Sequence, residues 1–394
     1  MSNENISLME PMLISVTSRH REKLEELAIE LIQKSTQLQE SLPSSIHEAI
    51  THLVRSMNCY YSNLIEGHNT HPIDIENALK NKYSDDIDKR NLQEEAKAHI
   101  AVQKRIDEGR LHNKATTIEG ICEIHRRFYK QLPEELLWNN YLDKDEKIQI
   151  RAGQLRENEI EVGRHRPISP SAVKLFLQKF AEVYTNLKGS NKIIGIAPAH
   201  HRLLWIHPFL DGNGRVARLM SYAMLLENLN IKGIWSVARG LARSSNYKEH
   251  LSNCDQRRRN DLDGRGNLSE EELVKFTCFF LETCLDQVEF MAKLMQPKEL
   301  HNRILTWASK EEESKRLYKK SSRILEAILY QGELQRNEIA QLLDVTERQA
   351  RRIKKNLEDI GVLVSSSPKA PFKLAFPAKL APDWMPNLFP SENS

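Results

Sequence analysis

Twelve consecutive residues, His207-Pro208-Phe209-Leu210-Asp211-Gly212-Asn213-Gly214-Arg215-Val216-Ala217-Arg218, gather the groups that chemistry on a phosphate requires. His207 can accept a proton near neutral pH. Asp211 is a hard oxygen donor, suited to a Mg²⁺ that also carries phosphate oxygens. Gly212 and Gly214 allow the backbone to turn tightly and approach a ligand without a Cβ in the way. The residues that follow, from Arg215 to Leu226, contain few breakers and read as a helix. The free N–H groups at its start then face the glycine turn, where the helix dipole also favours an anion. Arg215 and Arg218 stand three apart and project from neighbouring positions of that helix as two fixed cations.

Every fixed position of the pattern H-x-F-x-(D/E)-G-N-G-R-x-x-R is filled, and the stretch resembles the signature of the Fic family. The resemblance implies an autoinhibited protein adenylyltransferase, with ATP as co-substrate and Mg²⁺ as cofactor. AMP would pass from ATP to the hydroxyl of a Tyr, Thr or Ser in a protein substrate. His207 would then be the catalytic base, with Asp211 holding the metal. Gly212, Asn213 and Gly214 would cradle the phosphates, Arg215 and Arg218 would neutralise them, and Phe209 would anchor the loop from below. Relatives that transfer phosphate instead carry a Lys near the second glycine, which Gly214 is not. A second motif, Ser62-Asn-Leu-Ile-Glu66-Gly67, is similar to the family's inhibitory helix S/T-x-x-x-E-(G/N). In that reading Glu66 pairs with Arg218 and competes with the ATP γ-phosphate. A carboxylate and a guanidinium form a charge-assisted, often bidentate pair, so the competition is chemically sound. Ile118-Glu119-Gly120 repeats the Ile-Glu-Gly of the motif but has Ala115 where Ser or Thr is needed. Some Fic relatives also remove AMP with the same glutamate, and the sequence leaves that activity open.

The elements around these motifs are mostly helical. The expected fold is mostly α: a Fic-type helical core with a small β-hairpin flap, plus a C-terminal winged helix domain. Residues 1–110 read as an N-terminal helical region with the inhibitory helix near 55–67, and 111–295 as the catalytic core. Arg19 to Leu42 reads as a long exposed helix, and Ile118 to Gln131 as an amphipathic one. Short alternating segments between Ile148 and Ile168, punctuated by Gly153 and Gly163, predict a hairpin rather than a helix. The resemblance places a target-docking flap there, about Arg151–Val162, including Arg151, Gly153, Arg156 and Val162. Such a flap would take its target by strand addition. Tyr247 and, behind it, Asp255 are the candidate adenine contacts.

Two other clusters carry less. His200, His201 and His207 lack accompanying cysteines and suit core or helix-end roles better than zinc. Asp261-Leu-Asp263-Gly-Arg265-Gly-Asn-Leu-Ser269 imitates a calcium loop, but Arg265 stands where an oxygen ligand belongs, so a turn and a helix capped near Ser269 are expected.

The chain has 394 residues, enough for two or three domains, and a net charge of +3, too balanced to argue for nucleic acid by itself. Five cysteines without C-x-x-C spacing suggest reduced thiols and a cytoplasmic setting. No signal peptide and no membrane-spanning run is expected.

Past a linker at 296–320, residues 321–377 resemble a winged helix-turn-helix, with a tail at 378–394. Thr346 and Gln349 form a capping box for the second helix, and Gly361 ends it. That helix carries Arg348, Arg351, Arg352, Lys354 and Lys355, a set that could face a DNA groove. The competing functional reading is therefore a DNA-binding transcriptional regulator that uses the Fic core to sense nucleotide. The intact His207 and Asp211 favour the enzyme, because sensing needs neither a base nor a metal ligand. Self-modification and a homodimer stay open at this level.

Overall fold

The computed structural model describes residues 4–141, 144–163, 165–229, 231 and 233–390, with side chains for all of these except 44, 45, 140, 141 and 144–146. The chain divides into two compact units. The first comprises Met1–Thr36, Asn58–Ile231 and Ser236–Val288. The second comprises Gln37–Met57, Lys232–Trp235 and Glu289–Ser394. The expected N-terminal region 1–110 is thus not one body, and most of it belongs with residues 111–288.

In chain order the first unit draws on α1 (Arg21–Glu40), α2 (Ser44–Ile65), α3 (Pro72–Leu79), α4 (Ile87–Asp107) and α5 (Ile118–Tyr129). It continues with strands β1 (Trp138–Tyr141) and β2 (Lys144–Gln149), then α6 (Pro170–Thr185), α7 (Asn191–Ile194), α8 (Ile196–Ile206) and α9 (Asn213–Leu229). Helices α10 (Val237–Arg243), α11 (Tyr247–Asn253) and α12 (Glu270–Leu294) complete it. The units share α1, α2 and α12. Helix α9 is the centre. It is buried on nearly every face, its two arginines included, and packs against α4, α5 and α8. Helix α1 is not the exposed rod its charge suggested. Leu24, Ala28, Leu31 and Leu38 line one buried stripe at helical spacing.

Residues 4–12 are tied to the core by the Glu4 carboxylate and by main-chain carbonyls. The Glu4 carboxylate accepts from the Ser169 N–H at 3.0 Å. The Glu10 carbonyl accepts from the N–H groups of Asn267 and Leu268. The Pro11 carbonyl accepts two bonds from the buried Arg202 guanidinium. Gly266 makes this possible: at φ +119° it lies so close to the Glu10 carbonyl that a Cβ would collide with it. The turn before α12 is a capping structure. Asp263 accepts from Ser269 Oγ and the Glu271 N–H, while Ser269 accepts from the Glu272 N–H.

The predicted hairpin falls earlier than 151–162. The antiparallel ladder joins Trp138 to Gln149 and Asn139 to Ile148, whereas 151–162 is irregular apart from one bridge between Val162 and His165. The glycines that suggested strand turns there serve instead for close approach. At Gly153 (φ +77°) a Cβ would meet Arg126 Cβ at 2.7 Å.

The second unit adds α13 (Pro297–Glu313), α14 (Ser321–Gln331), α15 (Ile339–Leu343), α16 (Glu347–Ile360), β3 (Leu363–Val364), β4 (Lys373–Leu374) and α17 (Ala381–Trp384). Most of the expected linker is therefore helix. Leu300, Ile304, Trp307 and Ala308 form a buried stripe that outweighs the charge run after Lys310. The expected tail is packed too: Trp384 is buried edge-on to Trp307, and its carbonyl accepts from Arg303 Nε at 2.8 Å. The Thr346–Gln349 capping box and the Gly361 stop (φ +86°) are both present on α16. Leu363 pairs with Leu374 and Val364 with Lys373. Among the described residues no helix is long and apolar enough to cross a membrane.

Candidate active site

Helix α8 ends at His207, whose left-handed backbone (φ +50°) and following Pro208 turn the chain out of the helix. His207 Nδ1 donates to the Leu204 carbonyl at 3.2 Å, which leaves Nε2 as the free lone pair. Protein packed around the ring disfavours the imidazolium, and the neighbouring His165 and Arg156 add to that, holding its proton affinity down at about 4. The ring is thus a neutral acceptor at physiological pH. An NMR titration of His207 should show a midpoint near 4; a midpoint at the ordinary histidine value of about 6.5 would place the ring in open solvent instead.

The loop after His207 is locked from beneath. Phe209 is fully buried and stacks on His125, with ring centroids 3.9 Å apart. Asn213 closes the loop with both amide atoms. Its Oδ1 accepts from the Phe209 N–H and its Nδ2 donates to the Phe209 carbonyl. The Asn213 side chain thus closes the loop, and its second amide N–H stays beside the backbone N–H groups that can cradle a phosphate. Asp211 Oδ2 accepts from the Tyr129 hydroxyl at 2.8 Å. Gly212 (φ +77°) lies against that same tyrosine, where a Cβ would sit 2.6 Å from its hydroxyl. The first N–H groups of α9 have no intrahelical partner and open toward this turn.

The two motif arginines are each held by a carboxylate. Arg218 donates to Ser62 Oγ at 2.8 Å, to the Ser62 carbonyl and to Glu66 Oε1. The geometry follows from the end of α2. The His68 N–H bonds to the Asn63 carbonyl and the Gly67 N–H to the Leu64 carbonyl, with Gly67 at φ +87°. This is a Schellman end, in which only glycine takes the left-handed position without strain. Glu66 is left as the capping residue just past Ile65, and its carboxylate rests on the first turn of α9. A Cβ on Gly214 would collide with it. Burial alone would raise the Glu66 proton affinity, but Arg218 foremost, then Arg215 and Lys248, outweigh it and keep the carboxylate ionised. Arg215 donates to Glu95 Oε2 at 2.6 Å and lies over the Phe128 ring. His68 Nδ1 donates to the same oxygen at 2.7 Å.

The structure thus brings together His207, Asp211, Gly212, Gly214, Arg215, Arg218, Ser62 and Glu66. Other expected residues have different places. Tyr247 is buried, not open to a nucleotide. Ser221 gives its own proton to the Ala217 carbonyl and so accepts from His200 Nδ1, which leaves His200 Nε2 to accept from the Tyr247 hydroxyl at 2.7 Å. Asp255 pairs with His201 at 3.0 Å and faces His165. Arg156 is a structural tie, donating to the carbonyls of His207, Asn158 and Ile168. Gly153 donates its N–H to His125, while Arg151 is exposed. Tyr129, Glu95, His68 and Lys248 escaped sequence reasoning. Only His125 and Tyr129, four apart on α5, left a signal there, as polar rings on a buried helix face.

Residues 115–225 match the Fic/DOC family. The Protein adenylyltransferase Fic of Drosophila mojavensis is 30% identical over 195 residues, covering 46% of this chain and 35% of the relative. The protein of the same name in Drosophila virilis is 29% identical over a stretch of the same length. The chain thus spans little more than a third of these relatives' length. A Fic family protein from Desulfovibrio desulfuricans G20 shares the fold with a TM-score of 0.54 and 15% identity, over 92% of this chain and 98% of that one. Fic-1 (residues 134–508) from C. elegans gives 0.52 and 16% identity over 71% of this chain and 76% of that one. Residues 115–225 are thus similar to the Fic/DOC family, on a mostly helical fold shared with Fic-family structures.

Proposed function

We propose that the chain transfers AMP from ATP to a hydroxyl of a protein side chain and that Glu66 restrains the reaction. The observation that carries this reading is the Glu66 carboxylate on Arg218 at the open end of α9, where an anion would otherwise sit. The hydroxyl oxygen attacks the α-phosphorus, its proton passes to His207 Nε2, and the bond to the β-phosphate breaks with pyrophosphate leaving. The α9 N–H groups and Arg215 stabilise charge that develops on the phosphate, in a site organised before substrate arrives. A Mg²⁺ fits the donor set at Asp211: one hard carboxylate, oriented by Tyr129, with the remaining ligands supplied by phosphate and water. Bound there, the metal would supply charge neutralisation at the phosphates. The β1–β2 ladder is the element suited to docking a target segment by strand addition.

The position of the label decides the reaction class. ATP labelled at the α-phosphate should mark protein, and ATP labelled at the γ-phosphate should not. Transfer of the γ-label would instead make the chain a kinase.

A second reading concerns residues 321–377, whose helix order and short hairpin suit a winged helix. Arg348, Arg351, Arg352 and Lys355 on α16 are exposed and enter no ion pair among the described residues. Cations without a carboxylate partner favour phosphate contact, Arg352 lying over the Tyr318 ring, and the DNA-binding regulator remains an added role. Changing Arg351 and Arg352 to Ala should weaken retention on duplex DNA. It should also flatten the slope of log affinity against log salt by about 0.9 for each phosphate that is no longer neutralised. An unchanged slope would assign the helix to protein docking or to solvent.

A further inference from the structure

The turn that delivers Glu66 also delivers His68. In a Schellman end the residue after the left-handed glycine folds back across the helix terminus, and here that residue is His68. Its ring meets Glu95 of α4, a buried acid that no motif identifies. Glu95 Oε2 accepts both from His68 Nδ1 at 2.7 Å and from Arg215 Nη2 at 2.6 Å. The two donors approach within 3.1 Å because they converge on one oxygen. Two residues after the inhibitory glutamate, the chain is therefore fastened a second time, to the partner of the other motif arginine.

We propose that His68 is a second latch on the inhibitory turn: by donating to Glu95 it keeps residues 66–68 folded against α9 and so keeps Glu66 seated on Arg218. This rests on the reading of Glu66 given above. The charged groups facing the imidazole are Glu95 of α4, Arg215 of α9 and Glu66 of its own turn. The bond to Glu95 raises the proton affinity of His68 above its ordinary value, against the effect of burial. The ionic part of the latch is therefore complete below the ordinary histidine value and fades as pH rises through the raised one. Loss of the latch should free Glu66 more often.

The test crosses His68 variants with Glu66→Gly and reads both AMP transfer and hydrogen exchange at the amides of Gly67 and His68. With 38% of its side chain exposed, His68 can be changed without a core defect. His68→Ala should raise transfer and speed exchange by about fivefold, the size of one half-exposed charged hydrogen bond. It should add nothing in the Glu66→Gly background, where there is no restraint left to release. His68→Asn, which keeps a donor near the Nδ1 position, should restore most of the restraint. Unchanged exchange in His68→Ala would overturn the latch. So would an equal change of rate in both backgrounds, which would assign His68 to Arg215 alone. Should Glu66→Gly itself show no transfer, the functional reading fails, while amide exchange still decides the latch.

Discussion

Glu66→Gly should raise the rate of AMP transfer by about 5- to 150-fold, the range of a coupling free energy of a few kcal/mol between a site and its regulator. The argument is one of occupancy. Arg218 is buried and has given its guanidinium to Ser62 and Glu66. A γ-phosphate can claim it only by displacing a carboxylate that is already desolvated and ionised. Glycine at position 66 leaves the Ser62 contacts in place and is acceptable at a helix terminus, so the fold should survive. The check is label from α-labelled ATP incorporated into protein at fixed enzyme and ATP concentration. Equal rates in the two proteins would mean that Glu66 gives way to nucleotide without cost and does not regulate.

His207→Ala, made in the active Glu66→Gly background, should lower transfer by about 10²- to 10⁴-fold, the usual contribution of a positioned general base. Binding of ATP, measured by calorimetry, should change little. Among the described residues the His207 side chain bonds to the Leu204 carbonyl and to neither Arg215 nor Arg218. The split between rate and binding is what separates a base from a scaffold residue. A parallel loss of ATP affinity would show that the ring instead holds the loop. Residual transfer near the parent rate would place the base elsewhere.

What the sequence made legible follows from what is local. The loop from His207 to Arg218 could be read because its chemistry, its turn and its helix start all lie within one stretch. Phe209 is buried as expected, since an aromatic residue between a base and a glycine turn has few other places to go. The Glu66–Arg218 pair spans 152 residues and became visible only through a resemblance. Glu95 has no such pattern to mark it. One of two adjacent acids in a charged helix reads as surface until the arginine that buries it is known. Tyr247 shows the opposite case: its position near the loop suggests a ligand contact, while its buried hydroxyl serves His200, a partner no local pattern announces. The hairpin was displaced because glycines at 153 and 163 signal positive φ without saying whether strands flank them. Residues 4–12 bind through main-chain carbonyls, which side-chain identity does not report.

The position of Glu66 at the very end of α2 also has a kinetic meaning. Residues at a helix terminus fray and re-form by crossing only a few dihedral barriers, on a timescale of about a microsecond or less. Releasing the carboxylate therefore asks for one turn to open, not for a helix to leave its groove. Under the proposed function, the speed of response to nucleotide or to a target should then be set by how fast Arg218 changes partners. The regulated and the active protein would differ by a terminal turn and by the partners of Arg218 and His68.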